Sequence, residues 1–255
     1  MTSYHVGTRD LRDAVRAVRV HADRTKTGGD GDGACHRVRL SFGRTELVVM
    51  ATCIVTTAAA IVDLLTDDGR PVRDALDLAD DDGTIPPTTI VDVIPAKAAL
   101  ILQAFKAATH DPDGVAQLLR FDILEDGLEV TDVSGLFAGD AYVMQGAGKG
   151  AAFPDVWATI ERALKGAGTE PSPKPLTASG PHVSRFQIAS KVYDTPLTIS
   201  PTGTPESRGF LVECGPKFLG VISSGHNDDD SLGKRDAARR RWLHRFDGRQ
   251  LKAVQ

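Results

Sequence analysis

Four arginines, Arg9, Arg12, Arg16 and Arg19, recur at spacings of three and four near the start of the chain. On a helix such positions stack along one side, and a row of guanidinium groups there suits a phosphate backbone. Contacts of that kind accept any base sequence, because phosphates position a protein without identifying bases. The plainer alternative is a solvated helix face, neutralised in part by Asp10, Asp13 and Asp23. The other helical cations are less ordered: Lys97 and Lys106 fall on roughly opposite faces, and Arg185 and Lys191 do not share one line.

Residues able to do covalent or metal chemistry do not form a constellation. Gly146–Gly150 (GAGKG) has the wrong glycine–lysine spacing for a phosphate loop, and no Ser or Thr follows the lysine, so it reads as a flexible joint. The acidic clusters Asp80–Asp82 and Asp228–Asp230 lack the alternating ligands and glycine of a calcium loop. The seven histidines are scattered, and Cys35–His36 is adjacent, which is poor geometry for one metal. Three widely spaced cysteines, Cys35, Cys53 and Cys214, suit neither a disulfide framework nor a zinc site and point to a reducing compartment, by default the cytoplasm. No serine lies in a nucleophile elbow. The expectation is a protein that is not an enzyme and uses no cofactor or metal.

The elements that must position the arginines are legible from periodicity. The composition is ordinary for a globular chain, 41% hydrophobic and 25% charged, but with 5% aromatics the core must rest on aliphatic residues. No apolar run approaches the roughly 20 residues needed to span a bilayer, and MTSYHVGTRDLRDAV lacks the apolar stretch of a signal peptide. Tyr4–Val6 reads as a strand and Arg9–Arg24 as a helix, with Leu11, Ala14, Val15, Val18 and Ala22 on one face. His36–Phe42, Thr45–Ala51 and Val55–Leu65 read as strands. After a connection rich in Asp, Gly and Pro (Thr66–Thr88), the order returns: strand Thr89–Val93, helix Pro95–Ala108, and strands Leu118–Leu124, Gly127–Asp132 and Ala138–Gln145. FPDVWATIERAL reads as a short helix, and Lys165–Gly180 as a linker. A shorter third round follows: helix His182–Tyr193, then strands Pro196–Ser200, Gly209–Cys214 and Lys217–Ser223.

These features resemble the bacterial-type DNA polymerase III beta sliding clamp family. Residues 4–145 are similar to one complete clamp domain, which holds two strand–helix–three-strand units. LVVMATC (Leu47–Cys53) is similar to the family strand ending in Ala-Thr-Asp, FPD (Phe153–Asp155) to its aromatic-Pro-Asp motif, and PLTISPTG and KFLGVISS to its final strands. The resemblance implies an α+β, DNA-clamp-like fold with repeated units and helices on one face of antiparallel sheets. It implies a complete domain over 1–150 and a partial second clamp-like domain over 151–226 after a Pro/Gly/Ser linker, and the charges beyond it read as an acidic loop and basic tail over 227–255. It further implies non-specific contact with duplex DNA through Arg9, Arg12, Arg16, Arg19, Lys97, Arg185 and Lys191. A polymerase or other replication protein would be held near Thr52, Ile54 and Ile222, and the chain would oligomerise to form a ring. Two departures bear on the partner site: Cys53–Ile54 stands where the family has Asp-Gly, and Ile222 is followed by Ser-Ser-Gly and not by Met-Pro-x-Arg.

Two rival readings remain. One is a clamp-fold interaction module that does not close a ring and modulates replication proteins. The other is an enzyme of unfamiliar type using Asp80–Asp82 with a divalent metal. The tail Lys234–Lys252 carries a local charge of +6, leaving −10 for the rest of a chain whose net charge is −4. Trp242 and Phe246, at helical spacing within it, either pack on the body or stack or dock as part of a helix that binds nucleic acid or a partner's acidic face.

Overall fold

The structure, a computed structural model, describes residues 2–22, 33, 35–53, 55–72, 89–106, 117–135, 139–146, 153–167, 177–202, 209–224 and 233–241. Both acidic clusters, Ile54, Trp242 and Phe246 lie outside the described residues. The first unit is β1 (Ser3–Gly7), α1 (Thr8–Val18), a single 3-10 turn (Arg19–His21), β2 (Val38–Phe42), β3 (Glu46–Thr52) and β4 (Thr56–Leu65). The second is β5 (Thr89–Val93), α2 (Pro95–Ala104), β6 (Leu118–Leu124), β7 (Gly127–Asp132) and β8 (Ala141–Gln145). Next come α3 (Val156–Gly166) and a third round, α4 (Gly180–Tyr193), β9 (Thr198–Pro201), β10 (Gly209–Cys214) and β11 (Phe218–Ser223). Residues 233–241 are also helical.

Local chemistry sets several boundaries. Proline opens α2, where a missing N–H costs nothing. The Asp155 carboxylate accepts from the Ala158 N–H at 2.8 Å and caps α3. Asp194 ends α4 in the left-handed region, at φ 48°. The expected helix over Arg9–Arg24 stops being α-helical at Val18. The chain tightens into the 3-10 turn, and Ala22, already extended, donates to the Arg19 carbonyl. That tightening sinks Val20, His21 and Ala22 into the core.

Every strand pairing is antiparallel. The two opening strands are exchanged between units: β1 pairs with β6 of the second unit, and β5 with β2 of the first. β4 is where the sheet branches. Its last residues meet β1 (Val6↔Leu64), while its first half pairs with β11 (Ile222↔Thr56 through Phe218↔Ala60). The third round therefore extends the first unit's sheet, in the order β5-β2-β3-β4-β11-β10-β9.

Strand alternation divides the buried residues between the two faces of that sheet. Leu47, Val49, Ala51, Ala58, Ala60, Val62, Phe218 and Ile222 face the main core, together with Leu11, Val15 and Val18 of α1, Ile101 of α2 and Phe186 of α4. Their neighbours Val48, Met50, Ala59, Leu211 and Val221 face the other way, under Val156, Ile160 and Ala163 of α3. α1, α2 and α4 thus share one face, and α3 lies on the opposite face across the seam between β4 and β11.

Candidate nucleic-acid interface

α1 occupies the middle of the helical layer, packed against α2 on one side and α4 on the other. Its pattern, Leu11, Ala14, Val15 and Val18 inward, leaves Arg9 and Arg16 exposed on the outer side. Lys191, in the last turn of α4, is also exposed.

The remaining expected cations, Arg12, Arg19, Lys97 and Arg185, are partly buried. The Arg12 guanidinium donates through Nη1 to the Leu102 carbonyl at 2.6 Å and to the Phe105 carbonyl. These carbonyls lie at the C-terminus of α2, so Arg12 satisfies groups that have no partner within the helix. Lys97 reaches the Gln145 carbonyl at 3.4 Å, linking the start of α2 to the end of β8. Arg185 turns inward, donating to Cys53 Sγ at 2.9 Å and to Thr56 Oγ1 at 3.0 Å. Arg19 lies within the 3-10 turn and is partly buried. The seven expected cations are thus brought to one layer, of which Arg9, Arg16 and Lys191 form the exposed part.

Carboxylates temper this surface unevenly. Asp10 is taken by Lys217, which bridges it at 2.8 Å and Asp63 at 3.2 Å. Burial depresses the Lys217 pKa, but the two carboxylates outweigh it and the net shift is upward. Asp13 is half-buried, and burial raises its pKa although Arg16 and Arg9 pull the other way. The Tyr193 hydroxyl is pushed well above its ordinary range by burial and by the charges of Asp13 and Asp10.

Of the expected partner-site residues, Thr52 and Ile222 flank β4 from opposite sides, through Thr52↔Thr57 and Ile222↔Thr56. Both are buried, and the Thr52 and Thr57 hydroxyls are 2.8 Å apart. Beside them lies a cluster that sequence reasoning did not assemble, made of Cys53, Thr56 and Arg185. Burial raises the Cys53 thiol pKa. The Thr56 hydroxyl and amide, the Val55 amide and the Arg185 charge overcome that and bring it below the ordinary value. Its sequence signal was the cysteine standing where the family strand continues with aspartate. Among the described residues no group of three or more His, Cys, Asp or Glu is placed to hold a metal ion. No described helix is long and apolar enough to cross a membrane.

No protein-family model matches the sequence, and no curated protein matches it. Solved structures do match. The DNA polymerase sliding clamp of Bacillus subtilis aligns with TM-score 0.55 and 12% identity, over 89% of this chain and 65% of that one. The DNA polymerase III beta chain of Streptococcus pneumoniae aligns with TM-score 0.56 and 10% identity, over 89% and 65%. The beta subunit from Thermotoga maritima gives TM-score 0.51 and 10% identity, over 89% and 66%. The chain therefore has the sliding-clamp fold and spans 65–66% of the length of these clamps.

Proposed function

We propose that this chain is a sliding-clamp-like accessory protein of DNA replication or repair, acting in the cytoplasm, which rests its helical face on duplex DNA and tethers a polymerase or related enzyme. The observation that carries this reading is the three-helix layer on a clamp-fold sheet, with Arg9, Arg16 and Lys191 exposed on it. Tethering works by raising effective concentration, so the reading assigns the chain no reaction of its own. DNA contact is assigned to those three side chains, with Arg19 and Lys97 at the margin, while Arg12 and Arg185 hold the helices in place. The partner site is assigned to the end of β3 at Thr52, with Ile54 close by in sequence and Ile222 on β11. In this reading residues 1–150 form a complete clamp-like domain, 151–226 part of a second, and 227–255 an appended loop and tail.

The assembly expected is a homo-oligomer. Among the described strands β5, β8 and β9 each pair on one side only, and each carries an exposed β-branched residue, Ile90, Val143 and Ile199. Edges of this kind accept a strand from another chain. A second reading, a clamp-fold module that does not close a ring, is favoured by α3, which fastens the third round to the first unit within one chain. Light scattering separates the two: a dimer or larger species supports a ring, and a monomer at high concentration supports the module.

The DNA assignment is tested by the salt dependence of duplex binding. Each phosphate contact contributes about 0.9 to the slope of log affinity against log salt. Changing Arg9, Arg16 and Lys191 together to Glu should lower the slope by about 2–3 and weaken binding to every duplex alike. Arg12→Met should leave the slope unchanged and instead cost about 1–2 kcal/mol of stability, since carbonyls at the end of α2 lose their donor. Unchanged binding by the triple variant removes the assignment.

A further inference from the structure

The third round docks on the first unit around one histidine. His21 ends the 3-10 turn after α1, is fully buried, and neither ring nitrogen has a hydrogen-bond partner among the described residues. Its ring lies 4.5 Å from Phe186 of α4 and 6.2 Å from Phe218 of β11. Those two rings meet edge to face at 6.3 Å. His21 is thus a first-unit side chain enclosed by the aromatic residues of the third round.

We propose that protonation of His21 releases α4 and β9–β11 from the first unit, making the docking of the third round sensitive to pH.

Among the described residues, no ionisable group around this ring is placed to receive the proton's charge. From α4, Arg185 acts on it as a like charge and disfavours the cation. On α1, Asp10 is held by Lys217, Asp13 faces Arg9 and Arg16, and Arg12 is bound to α2. β3 and β4 bring Glu46, far along the strand, and Asp63, shared with Lys217, and between the two strands Cys53 is engaged by Arg185. α2 brings Lys97, occupied with the Gln145 carbonyl, and β11 carries no ionisable side chain. A cation is therefore disfavoured while the third round is docked, and accepted once the ring meets water.

Burial, reinforced by Arg185, lowers the His21 pKa in the docked form from 6.5 to about 3. The released form has the ordinary value and binds more protons between these limits. Docking is strongest above pH 6.5, weakens as pH falls below it, and stops weakening near pH 3. Between pH 7.5 and 5.0 the equilibrium shifts toward release by about 30-fold.

The test is amide hydrogen exchange on the full chain at pH 7.5 and 5.0, corrected for intrinsic rates. Opening of α4, β10 and β11 should rise about 30-fold at pH 5.0, while β6 and β7 keep their protection. His21→Phe and His21→Leu should stay docked at pH 7.5 and lose the pH effect, because an apolar ring or branch needs no partner there. An unchanged pH effect in either variant overturns the proposal, as does uniform loss of protection across all strands. NMR titration of His21 in the parent supplies a check that does not depend on the variants: an ordinary value near 6.5 in the docked protein also overturns it.

Discussion

Arg185 and Cys53 meet across the seam between the third round and the first unit, with the guanidinium Nη1 2.9 Å from the sulfur. One residue sits on α4 and the other in the connection between β3 and β4, 132 positions away in sequence. A charge-assisted contact of this kind fixes where α4 lies along the sheet and also changes the chemistry of the thiol.

Cys53 should therefore react with iodoacetamide faster than Cys214 in the native protein. Burial raises the Cys214 pKa, and its thiol donates to the Thr195 carbonyl, so it offers little thiolate and little access. In Arg185→Met the Cys53 thiolate loses its cation, and alkylation at pH 7 should slow severalfold while Cys214 is unaffected. Mass spectrometry of alkylated peptides reads both rates in one sample. Equal rates for Cys53 in parent and variant would show that the guanidinium does not control the thiol.

Gly220 should be the least replaceable glycine in the third round. A Cβ added there would lie 2.5 Å from Phe186 Cε1 and 2.9 Å from the Thr57 carbonyl oxygen. The first neighbour can rotate, but the second is backbone of β4, paired in register with β11. Gly220→Ala should cost about 1–3 kcal/mol in urea unfolding, as overpacking does. Combining it with Phe186→Leu should recover part of that cost, giving a non-additive cycle. Additive losses would mean that the strain falls on the β4 backbone alone.

The strands were legible where alternation and turn residues coincide. β5, β6, β7 and β10 span the residues that their sequence pattern predicts, and Asp126 precedes a glycine at the turn between β6 and β7. Boundaries failed where tertiary contacts override local pattern. β8 starts at Ala141 and not Ala138, because Gly139 and Asp140 first close a turn with Asp132. β2 starts at Val38 and not His36. The expected linker over Lys165–Gly180 is shorter on both sides, since α3 reaches Gly166 and α4 begins at Gly180. Periodicity assigns a residue to a face without naming what the face meets. The exchange of β1 with β5, the pairing of β11 with β4, and the inward turn of Arg12 and Arg185 all depend on partners 47 or more residues away, and no local spacing encodes them.

Asp13 is the acidic residue that most directly offsets the exposed arginines, and its removal should act on stability and on binding at once. Burial raises its folded-state pKa above the unfolded value. The folded form therefore binds more protons in the acid range, and ionisation at neutral pH works against folding. Asp13→Asn should stabilise the protein at pH 7 by up to about 1 kcal/mol, with the difference vanishing as pH falls below the carboxylate range. The same change unmasks Arg9 and Arg16, so duplex DNA should bind about two- to fivefold more tightly at low salt, the gain shrinking as salt rises. Urea unfolding at pH 7 and pH 3 reads the first effect, and fluorescence anisotropy at two salt concentrations reads the second. A variant stabilised at pH 7 with unaltered DNA affinity would place the nucleic acid away from the α1 face while leaving the burial of Asp13 intact.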